Sequence, residues 1–360
     1  MYVSLKDVAA RAGVSFQTAS KVLNGQKGVV AERTQERILA AAAELGYVPN
    51  AVARSLVTKS TYAIGIVADD LSDWVLAQFV VAAEREARRR GHVVLIVMAH
   101  SSAAGHGSST TTKEKPESYV RLLLERRVDG IITAAPSLEH DRVVARLLRN
   151  RVPAVSMHHV PGGGVPVVGS DHARTGQLAT EHLIQLGHRR IGTITGPMRR
   201  RVVASRLRGY RAALEAAGIP VDESLVVEAG WDAQAGYDAT CTLLERAPDV
   251  TAIFAQNDLL AIGVLSALDH LGRRVPQDCS VVGCDDLPQS AHLRPPLTSV
   301  HVPFYETGER AVALLLERIQ SASRNSLQES LAEPPQRSVR TLLPVHLVER
   351  QSTAVRGEST

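Results

Sequence analysis

The sequence predicts a small all-α helix-turn-helix unit followed by an α/β core of two doubly wound parallel-sheet lobes. Residues 1–46 contain three short helical patterns separated by glycine turns. From Tyr62 onward, short apolar runs alternate with helical segments, which is typical of parallel sheets flanked by helices. This alternation is interrupted at PGGGVP and then restarts, so two successive sets of strands and helices predict two lobes.

The N-terminal helices have recognisable start and stop signals. Ser4 can cap the first helix, with Asp7 three residues on in capping-box spacing. Gly13 breaks this helix, Ser15 can cap the second, and Asn24 with the following glycine ends it. A third helix is predicted from about residue 32 to 45. Two short helices joined by a glycine turn and closed by a third form a helix-turn-helix unit.

The second helix presents a polar outward face that suits a DNA major groove. Gln17 can pair bidentately with adenine, Lys21 with guanine, and Phe16 can contact a thymine methyl. The remaining outward residues are small and polar, and we expect them at or near phosphates: Ser15, Thr18, Ser20 and Asn24. The alternative is a helical hairpin whose polar face only meets water.

The formal charge is concentrated at the N-terminus. Residues 1–60 carry eight basic and four acidic side chains, which accounts for the whole net charge of +4. A compact basic unit ahead of a neutral core favours polyanion binding. A randomly charged solvated face is the alternative, and four charges alone do not exclude it.

The core elements follow one another in regular order. The strand-like runs are YAIGIVA, HVVLIVM, VDGIIT and VPAVSM in the first lobe, then VVGS, RIGTIT, LVVEA, TAIFA and CSVVGC in the second, followed by LTSVHV and TLLPVHLV. Helical patterns lie between them at about 74–90, 117–127, 138–150, 173–186, 201–217, 233–246, 259–271 and 305–320. Residues 99–117 and 321–338 are small and polar and are predicted to be surface loops.

Composition excludes several other classes. The longest apolar run is too short to cross a bilayer, and no apolar signal region is visible, so we expect a cytoplasmic protein without membrane contact. The three cysteines form no CxxC pair, which favours buried free thiols over a disulfide or a metal site. No GxSxG, P-loop or HExxH motif is present, so neither catalysis nor a cofactor is expected.

Polar and aromatic side chains follow the predicted strands of the core. In parallel sheets, ligands bind outside the carboxyl ends of the strands, so two facing lobes predict a cleft there. The candidates are Asp69, Asp73, Trp74, His158, Arg206, Trp231, Asn257 and Asp285. Carboxylate, amide and guanidinium groups with two tryptophans suit a polyol such as a sugar. Each residue also has a structural alternative, and Asp258 and Asp286 are expected to cap helices.

Two long motifs resemble a known family. The segment VSLKDVAARAGVSFQTASKVLNG, followed by ELGYVPNAVARSL, is similar to the DNA-binding headpiece of the LacI/GalR family of bacterial transcription regulators. The resemblance continues to LLPVHLVERQST near the end of the chain. It implies a homodimer that binds a palindromic operator, most often as a repressor, and a core of periplasmic-binding-protein type. One departure is Ala31, which replaces the usual capping residue and predicts a weaker start to the third helix.

The resemblance also implies a division of the chain. We expect a headpiece at 1–46, a hinge helix and linker at 47–60, a core at 61–349 and a tail at 350–360. The first lobe is expected to comprise about 61–160 and 302–322, and the second about 163–300 and 339–349, with three chain crossings between them. No C-terminal heptad repeat follows, so a dimer without a coiled-coil tetramer is expected.

The segment YVPNAVARSL corresponds to the hinge helix of the family. We expect further DNA contacts from Tyr47, Asn50, Ala53, Arg54 and Leu56, with Leu56 wedging into the minor groove. A helix this short is marginal alone. We therefore expect it to fold only when the partner chain and DNA supply contacts, which would let small lobe movements switch it.

In the cleft, the resemblance assigns effector contacts to Arg206, Trp231, Asn257 and Asp285. His158 stands where many sugar-responsive members have an acidic residue, which questions a standard hexose effector and suggests a pH-sensitive response. A metal site at His158 and His159 is not favoured, because neighbours on a strand face opposite sides. Two other classes of protein are alternatives to a transcription regulator. One is a solute-binding protein, which would lack a basic headpiece, and the other is an enzyme that acts in the cleft.

Overall fold

The structure is a computed structural model that describes residues 3–24, 30–50, 55, 60–99, 115–325 and 339–357. The chain divides into two compact units, Met1–Ala63 and Ile64–Thr360. No helix among the described residues is long and apolar enough to cross a membrane.

The first unit is a three-helix bundle comprising α1 (Leu5–Arg11), α2 (Phe16–Leu23) and α3 (Glu32–Glu44). Its small core is built from the apolar faces of these helices: Val8, Ala9, Ala12, Ala19, Val22, Ile38, Ala41 and Ala42. The predicted capping box is present, since the Ser4 amide donates to the Asp7 carboxylate at 2.8 Å and the Asp7 amide donates to Ser4 Oγ at 3.3 Å. The helix-turn-helix prediction is therefore confirmed.

The second unit alternates strands and helices as predicted. The strands are β1 (Ala63–Ala68), β2 (Val93–Met98), β3 (Gly130–Ala134), β4 (Ala154–Ser156), β5 (Val167–Ser170), β6 (Ile191–Thr195), β7 (Val226–Glu228), β8 (Ala252–Ala255), β9 (Ser280–Asp285), β10 (Thr298–His301), β11 (Arg340–Leu343) and β12 (His346–Val348). The helices are α4 (Trp74–Arg89), α5 (Pro116–Glu125), α6 (Arg142–Asn150), α7 (His172–Gln185), α8 (Arg201–Ala216), α9 (Ala233–Arg246), α10 (Asp258–His270) and α11 (Phe304–Asn325).

These strands form two six-stranded sheets, one in each lobe. The first has the order β11-β5-β4-β3-β1-β2, and the second has the order β12-β10-β9-β8-β6-β7. Strand β12 pairs antiparallel with β10, while β10 pairs parallel with β9. Each sheet is covered by helices whose apolar side chains pack on the strands. Two doubly wound lobes are therefore confirmed.

The lobe boundaries differ from the prediction at two strands. Strand β5 pairs with β4 and β11, so residues 167–170 belong to the first sheet and not to the second. Strand β11 also belongs to the first sheet, so the chain returns to the second lobe only at β12. The chain still crosses three times, after β5, after β10 and between β11 and β12. The local pattern of VVGS reads as a strand in either lobe, and only pairing decides which sheet takes it.

The predicted tail at 350–360 is wrong for its first residues. Ser352 is fully buried, and its Oγ accepts from the Thr298 amide at 2.8 Å and donates to the Val281 carbonyl at 2.6 Å. The Ala354 amide donates to Ser280 Oγ at 3.1 Å, and the Arg356 amide donates to the Leu186 carbonyl at 2.8 Å. Residues 350–356 are therefore part of the second lobe.

Candidate DNA interface and ligand cleft

The outward face of α2 carries the predicted DNA-contacting side chains. Gln17 and Lys21 are exposed, and Phe16 is 50% exposed, which is unusual for a phenylalanine without a partner surface. The bundle core fixes this orientation, because Ala19 and Val22 on the opposite face are buried.

The small polar residues of α2 also serve the helix itself. Ser15 Oγ accepts from the Thr18 amide at 3.1 Å and caps α2, and Asn24 Nδ2 donates to Ser20 Oγ at 3.2 Å. Ser15 and Asn24 remain exposed, while Thr18 and Ser20 are half-buried. A hydroxyl can both donate and accept, so these bonds leave capacity for a phosphate.

The hinge residues are described only in part. Tyr47 is half-buried and packs against the headpiece core, so its ring also has a structural role. Asn50 is exposed and Ser55 is helical. Ala53, Arg54 and Leu56, three of the expected DNA contacts, lie outside the described residues.

Arg206 is the central side chain of the cleft. It is 2% exposed, and its Nη2 donates to Asp285 Oδ1 at 2.9 Å while its Nη1 donates to the Gln256 carbonyl. Asp285 ends β9 with a positive φ of 107°. Burial raises the pKa of the Asp285 carboxyl, and the adjacent guanidinium opposes that shift. The predicted residues Arg206 and Asp285 are therefore brought together as a buried ion pair.

Several buried polar atoms near the strand ends of the core have no hydrogen-bond partner. Most buried polar atoms in folded proteins are paired with protein or water. Among the described residues, the unpartnered atoms near the strand ends of the core are His158 Nε2, Ser170 Oγ, His172 Nδ1, Arg206 Nε, and both Gln256 amide atoms. A set of this kind at the carboxyl ends of parallel strands is where a ligand is expected.

Three of these residues, Ser170, His172 and Gln256, were missed from the sequence. Ser170 ends β5 and His172 opens α7, so they went unnoticed because β5 was assigned to the other lobe. Gln256 is fully buried and directly follows β8. Because cleft residues are expected after strand ends, the sequence could have predicted Gln256, but only the adjacent Asn257 was predicted.

The first-lobe carboxylates have structural partners. Asp69 accepts from the amide and the hydroxyl of Ser137 and so fixes the turn after β3. Asp73 caps α4 by accepting from the Val75 amide at 2.9 Å. Burial raises the pKa of both carboxyls, and the positive charge of Arg200 opposes the shift. Trp74 follows Asp73 and is half-buried.

Trp231 and Asn257 are also used within the protein. The guanidinium of Arg200 lies 5.1 Å from the centroid of the Trp231 ring. The same ring packs on Gly196, where a Cβ would meet ring carbon Cζ3 at 1.9 Å. Asn257 caps α10 by accepting from the Leu260 amide at 2.7 Å, and its Nδ2 donates to the Trp231 carbonyl at 3.2 Å.

The two aspartates expected to cap helices do not do so. Asp258 is fully buried, and its carboxylate accepts from the Leu287 amide and the hydroxyls of Ser290 and Ser299. Asp286 pairs with Arg350 at 2.6 Å and contacts His301 at 3.1 Å. Both therefore hold the loop after β9, and Asn257 supplies the cap of α10.

The expected pH sensitivity at His158 is not supported. Burial lowers the pKa of His158 to about 4, so its ring is neutral near pH 7. Among the described residues, no group of three or more His, Cys, Asp or Glu side chains is arranged to hold a metal ion.

A pair of contacts joins the lobes at the edge of the cleft. Glu139 of the first lobe accepts from the Arg201 amide at 2.9 Å, at the first residue of α8. Helix α8 has no side-chain cap of its own, so Glu139 supplies one across the cleft. The ring of His140 also contacts the Arg199 carbonyl at 3.2 Å.

Comparison with known proteins agrees with both halves of the structure. The family described as bacterial regulatory proteins, lacI family, matches residues 4–50, and the periplasmic binding protein-like domain matches residues 180–353. The transcriptional repressor PurR of Escherichia coli O1:K1 / APEC is 32% identical over 353 residues, covering 98% of this chain and 97% of the relative. The chain belongs to the LacI family. PurR of Haemophilus influenzae strain PittEE is 33% identical over 316 residues, covering 88% and 91%.

Solved structures of LacI-family regulators share the same fold. A Lac repressor dimer bound to operator and the anti-inducer ONPF has a TM-score of 0.82 at 31% identity, covering 98% of this chain and 100% of that one. A complex of the regulator CelR with cellobiose has a TM-score of 0.68 at 34% identity, covering 97% and 99%. This LacI-family chain is therefore a DNA-binding transcription regulator with a periplasmic-binding-protein-like core.

Proposed function

We propose that this chain is a homodimeric repressor that binds a palindromic operator and changes its operator affinity when a small sugar or glycoside binds between the core lobes. The observation that carries the proposal is the set of buried, unpartnered polar atoms near the strand ends of the core. The similar Lac repressor and CelR structures hold ONPF and cellobiose, which supports a small-molecule effector of the sugar class.

The DNA-binding part of the proposal concerns α2 and the hinge. Gln17 and Lys21 read bases, Phe16 contacts a thymine methyl, and the small polar residues of α2 contact phosphates. The hinge residues Ala53, Arg54 and Leu56 remain a prediction, with Leu56 wedged in the minor groove. We further propose that the protein acts in the cytoplasm.

We propose that the bound ligand is released unchanged. A relative that is similar over almost the whole chain, PurR, is a transcriptional repressor. The buried carboxylates of the cleft are used as caps, as an ion pair or in fixing a turn, which leaves none of them as an evident general base. Incubating the protein with a ligand that stabilises it, and finding product by chromatography, would contradict this part.

Operator binding tests the assignment of α2 directly. An operator is first selected from random duplex DNA with the full-length protein. Gln17→Ala should then tolerate changes at one base pair that the parent protein rejects, since a bidentate contact discriminates by about 1–3 kcal/mol. Lys21→Ala should weaken binding and reduce the salt dependence. Leu56→Ala should bend and bind the operator less well.

The control is Arg310→Ala, an exposed change on α11 of the core. It should leave the affinity and the salt slope as in the parent protein. If the Gln17 and Lys21 variants also behaved like the parent protein, α2 would not be the recognition helix.

A further inference from the structure

The charged side chains of the cleft are compensated within the protein. Arg206 is paired with Asp285 at 2.9 Å, and both are more than nine-tenths buried. Burial raises the pKa of Asp69, Asp73 and Glu139, and Arg200 lies close enough for its positive charge to oppose that shift in each carboxyl. A dianionic phosphate entering this cleft would meet several carboxylates. Among the described lining residues, the buried cation, Arg206, already has a carboxylate partner.

The unpartnered groups are, by contrast, mostly neutral. Gln256 is fully buried, and its side-chain atoms Oε1 and Nε2 have no hydrogen-bond partner. Ser170 is 7% exposed, and its hydroxyl also has no partner. His158 and His172 are held neutral because burial lowers the pKa of both rings. A neutral imidazole, an amide and a hydroxyl each offer both donors and acceptors.

These groups lie together because of how the helices pack. A Cβ on Gly176 of α7 would meet the Arg206 carbonyl at 2.0 Å, and one on Gly209 of α8 would meet the Ala173 carbonyl at 1.9 Å. This close contact places His172, at the start of α7, beside Arg206. Arg206 in turn donates to the backbone carbonyl of Gln256, so His172 and Gln256 both lie beside one guanidinium.

Hydroxyl-rich ligands suit this arrangement better than planar bases do. Each sugar hydroxyl also both donates and accepts, which matches the mixed character of the free groups. A nucleobase depends on stacking against an open aromatic face. The Trp231 ring is covered by the guanidinium of Arg200 and packs on Gly196, so a base would have to displace Arg200 in order to stack on Trp231.

Resting on the proposed function, we propose that the cleft binds an uncharged polyhydroxylated ligand and rejects its phosphate ester, with Ser170, His172 and Gln256 as specificity-determining residues. Hydroxyl groups of the ligand complete the hydrogen bonds of these side chains. A phosphate is rejected because removing its charge from water costs free energy that no unpaired buried cation in the cleft compensates.

The first experiment compares matched ligands on the full-length protein. Thermal shift followed by titration calorimetry uses glucose, galactose, ribose and cellobiose, the esters glucose 6-phosphate and ribose 5-phosphate, and the nucleosides adenosine and uridine. At least one uncharged carbohydrate should raise the melting temperature, and a phosphate ester should bind about 100-fold more weakly than its parent sugar. Tighter binding of an ester or a nucleoside, or binding of none of the uncharged carbohydrates, would overturn the proposal.

The second experiment separates ligand contact from structural support. Gln256→Met keeps the side-chain length and removes both free polar atoms, and Ser170→Ala removes a free hydroxyl. Each should weaken binding of the carbohydrate about tenfold. Neither should lower the melting temperature without ligand, because no protein hydrogen bond is lost. Ser118→Ala, which removes a similarly buried and unpartnered hydroxyl on α5, should leave ligand affinity unchanged.

If the variants lose stability without ligand, or if Gln256→Met binds carbohydrate like the parent protein, these residues are not specificity determinants. Operator binding in the absence of ligand distinguishes this failure from that of the proposed function. A protein that binds operator and responds to a sugar phosphate refutes only the ligand class. A protein that binds a sugar but no operator refutes the proposed function.

Discussion

At the scale of single residues, the cleft contains two kinds of buried polar side chain. Arg206 and Asp285 satisfy each other, and removing one partner leaves a buried charge without compensation, which typically costs 3–5 kcal/mol. The side-chain amide of Gln256, by contrast, has no hydrogen-bond partner in the protein. An Arg206→Ala variant could therefore lose the ligand response either because the protein is destabilised or because a ligand contact is removed. Gln256→Met should remove only the proposed ligand contact.

His158 predicts a specific pH dependence of stability. Its pKa is about 4 in the folded protein and 6.5 in the unfolded chain, so the unfolded chain takes up the proton first as pH falls. The stability from the neutral ring is fully present above pH 6.5 and is lost towards pH 4. His158→Asn should reduce the difference between urea unfolding free energies at pH 7.5 and pH 4.5 by about 2–3 kcal/mol.

His346→Asn is the matched control, since that ring is exposed on β12. It should retain the difference between the two pH values shown by the parent protein. An unchanged difference in His158→Asn would mean that the ring is not held neutral by burial.

At the scale of elements, most helices start at a side-chain cap, and α3 is one of those that do not. Ser4 and Ser15 cap α1 and α2, whereas Ala31 makes no side-chain bond to α3. The first amides of α3 therefore depend on water or on DNA phosphate. The weak start predicted from Ala31 is confirmed.

Ala31→Ser should stabilise the headpiece. A serine at the N-cap accepts a bond from an amide of the first turn and contributes about 1 kcal/mol. Slower hydrogen exchange of the α3 amides in the full-length protein would measure this gain. Ala40→Ser, an exposed change inside α3, should instead speed exchange slightly because serine has a lower helix propensity. Equal exchange in both variants would contradict the cap assignment.

At the scale of the whole molecule, distant parts of the chain complete each lobe. Helix α11 packs on α4 and the sheet of the first lobe, about 220 residues later in the chain, through Ala311, Val312 and Leu315. Residues 350–356 complete the second lobe through the buried Ser352. The final segment therefore belongs to the core of the second lobe, and its loss would expose polar groups of β9 and β10.

Ser352→Ala should destabilise the protein by about 2–4 kcal/mol. It leaves the Thr298 amide and the Val281 carbonyl buried without a partner, and each such group costs about 1–3 kcal/mol. Urea unfolding measures the change. Val355→Ala, in the same segment but 74% exposed, should change stability by about 0.5 kcal/mol or less. A neutral Ser352→Ala would mean that residues 350–356 are not held as described.

Most elements of this protein follow from local sequence. The capping box of Ser4 and Asp7, the glycine breaks and the apolar strand runs act over a few residues, and their outcome depends little on the rest of the chain. The helix from Ala233 to Arg246 was predicted with its observed bounds. The candidate Asp285 was also found in this way, because it ends β9, whereas Arg206 lies within α8 and was assigned from the family resemblance.

The sequence by itself therefore determined the helix-turn-helix unit and the alternating α/β core, since periodicity and caps are local, and it predicted the edge of the sheets at which we propose that a ligand binds. Only the tertiary structure decided that β5 and β11 join the first sheet, that residues 350–356 belong to the second lobe, and that His158 is neutral. Strand pairing, burial and the loss of hydration depend on residues far apart in the chain, which is why no local pattern contained them.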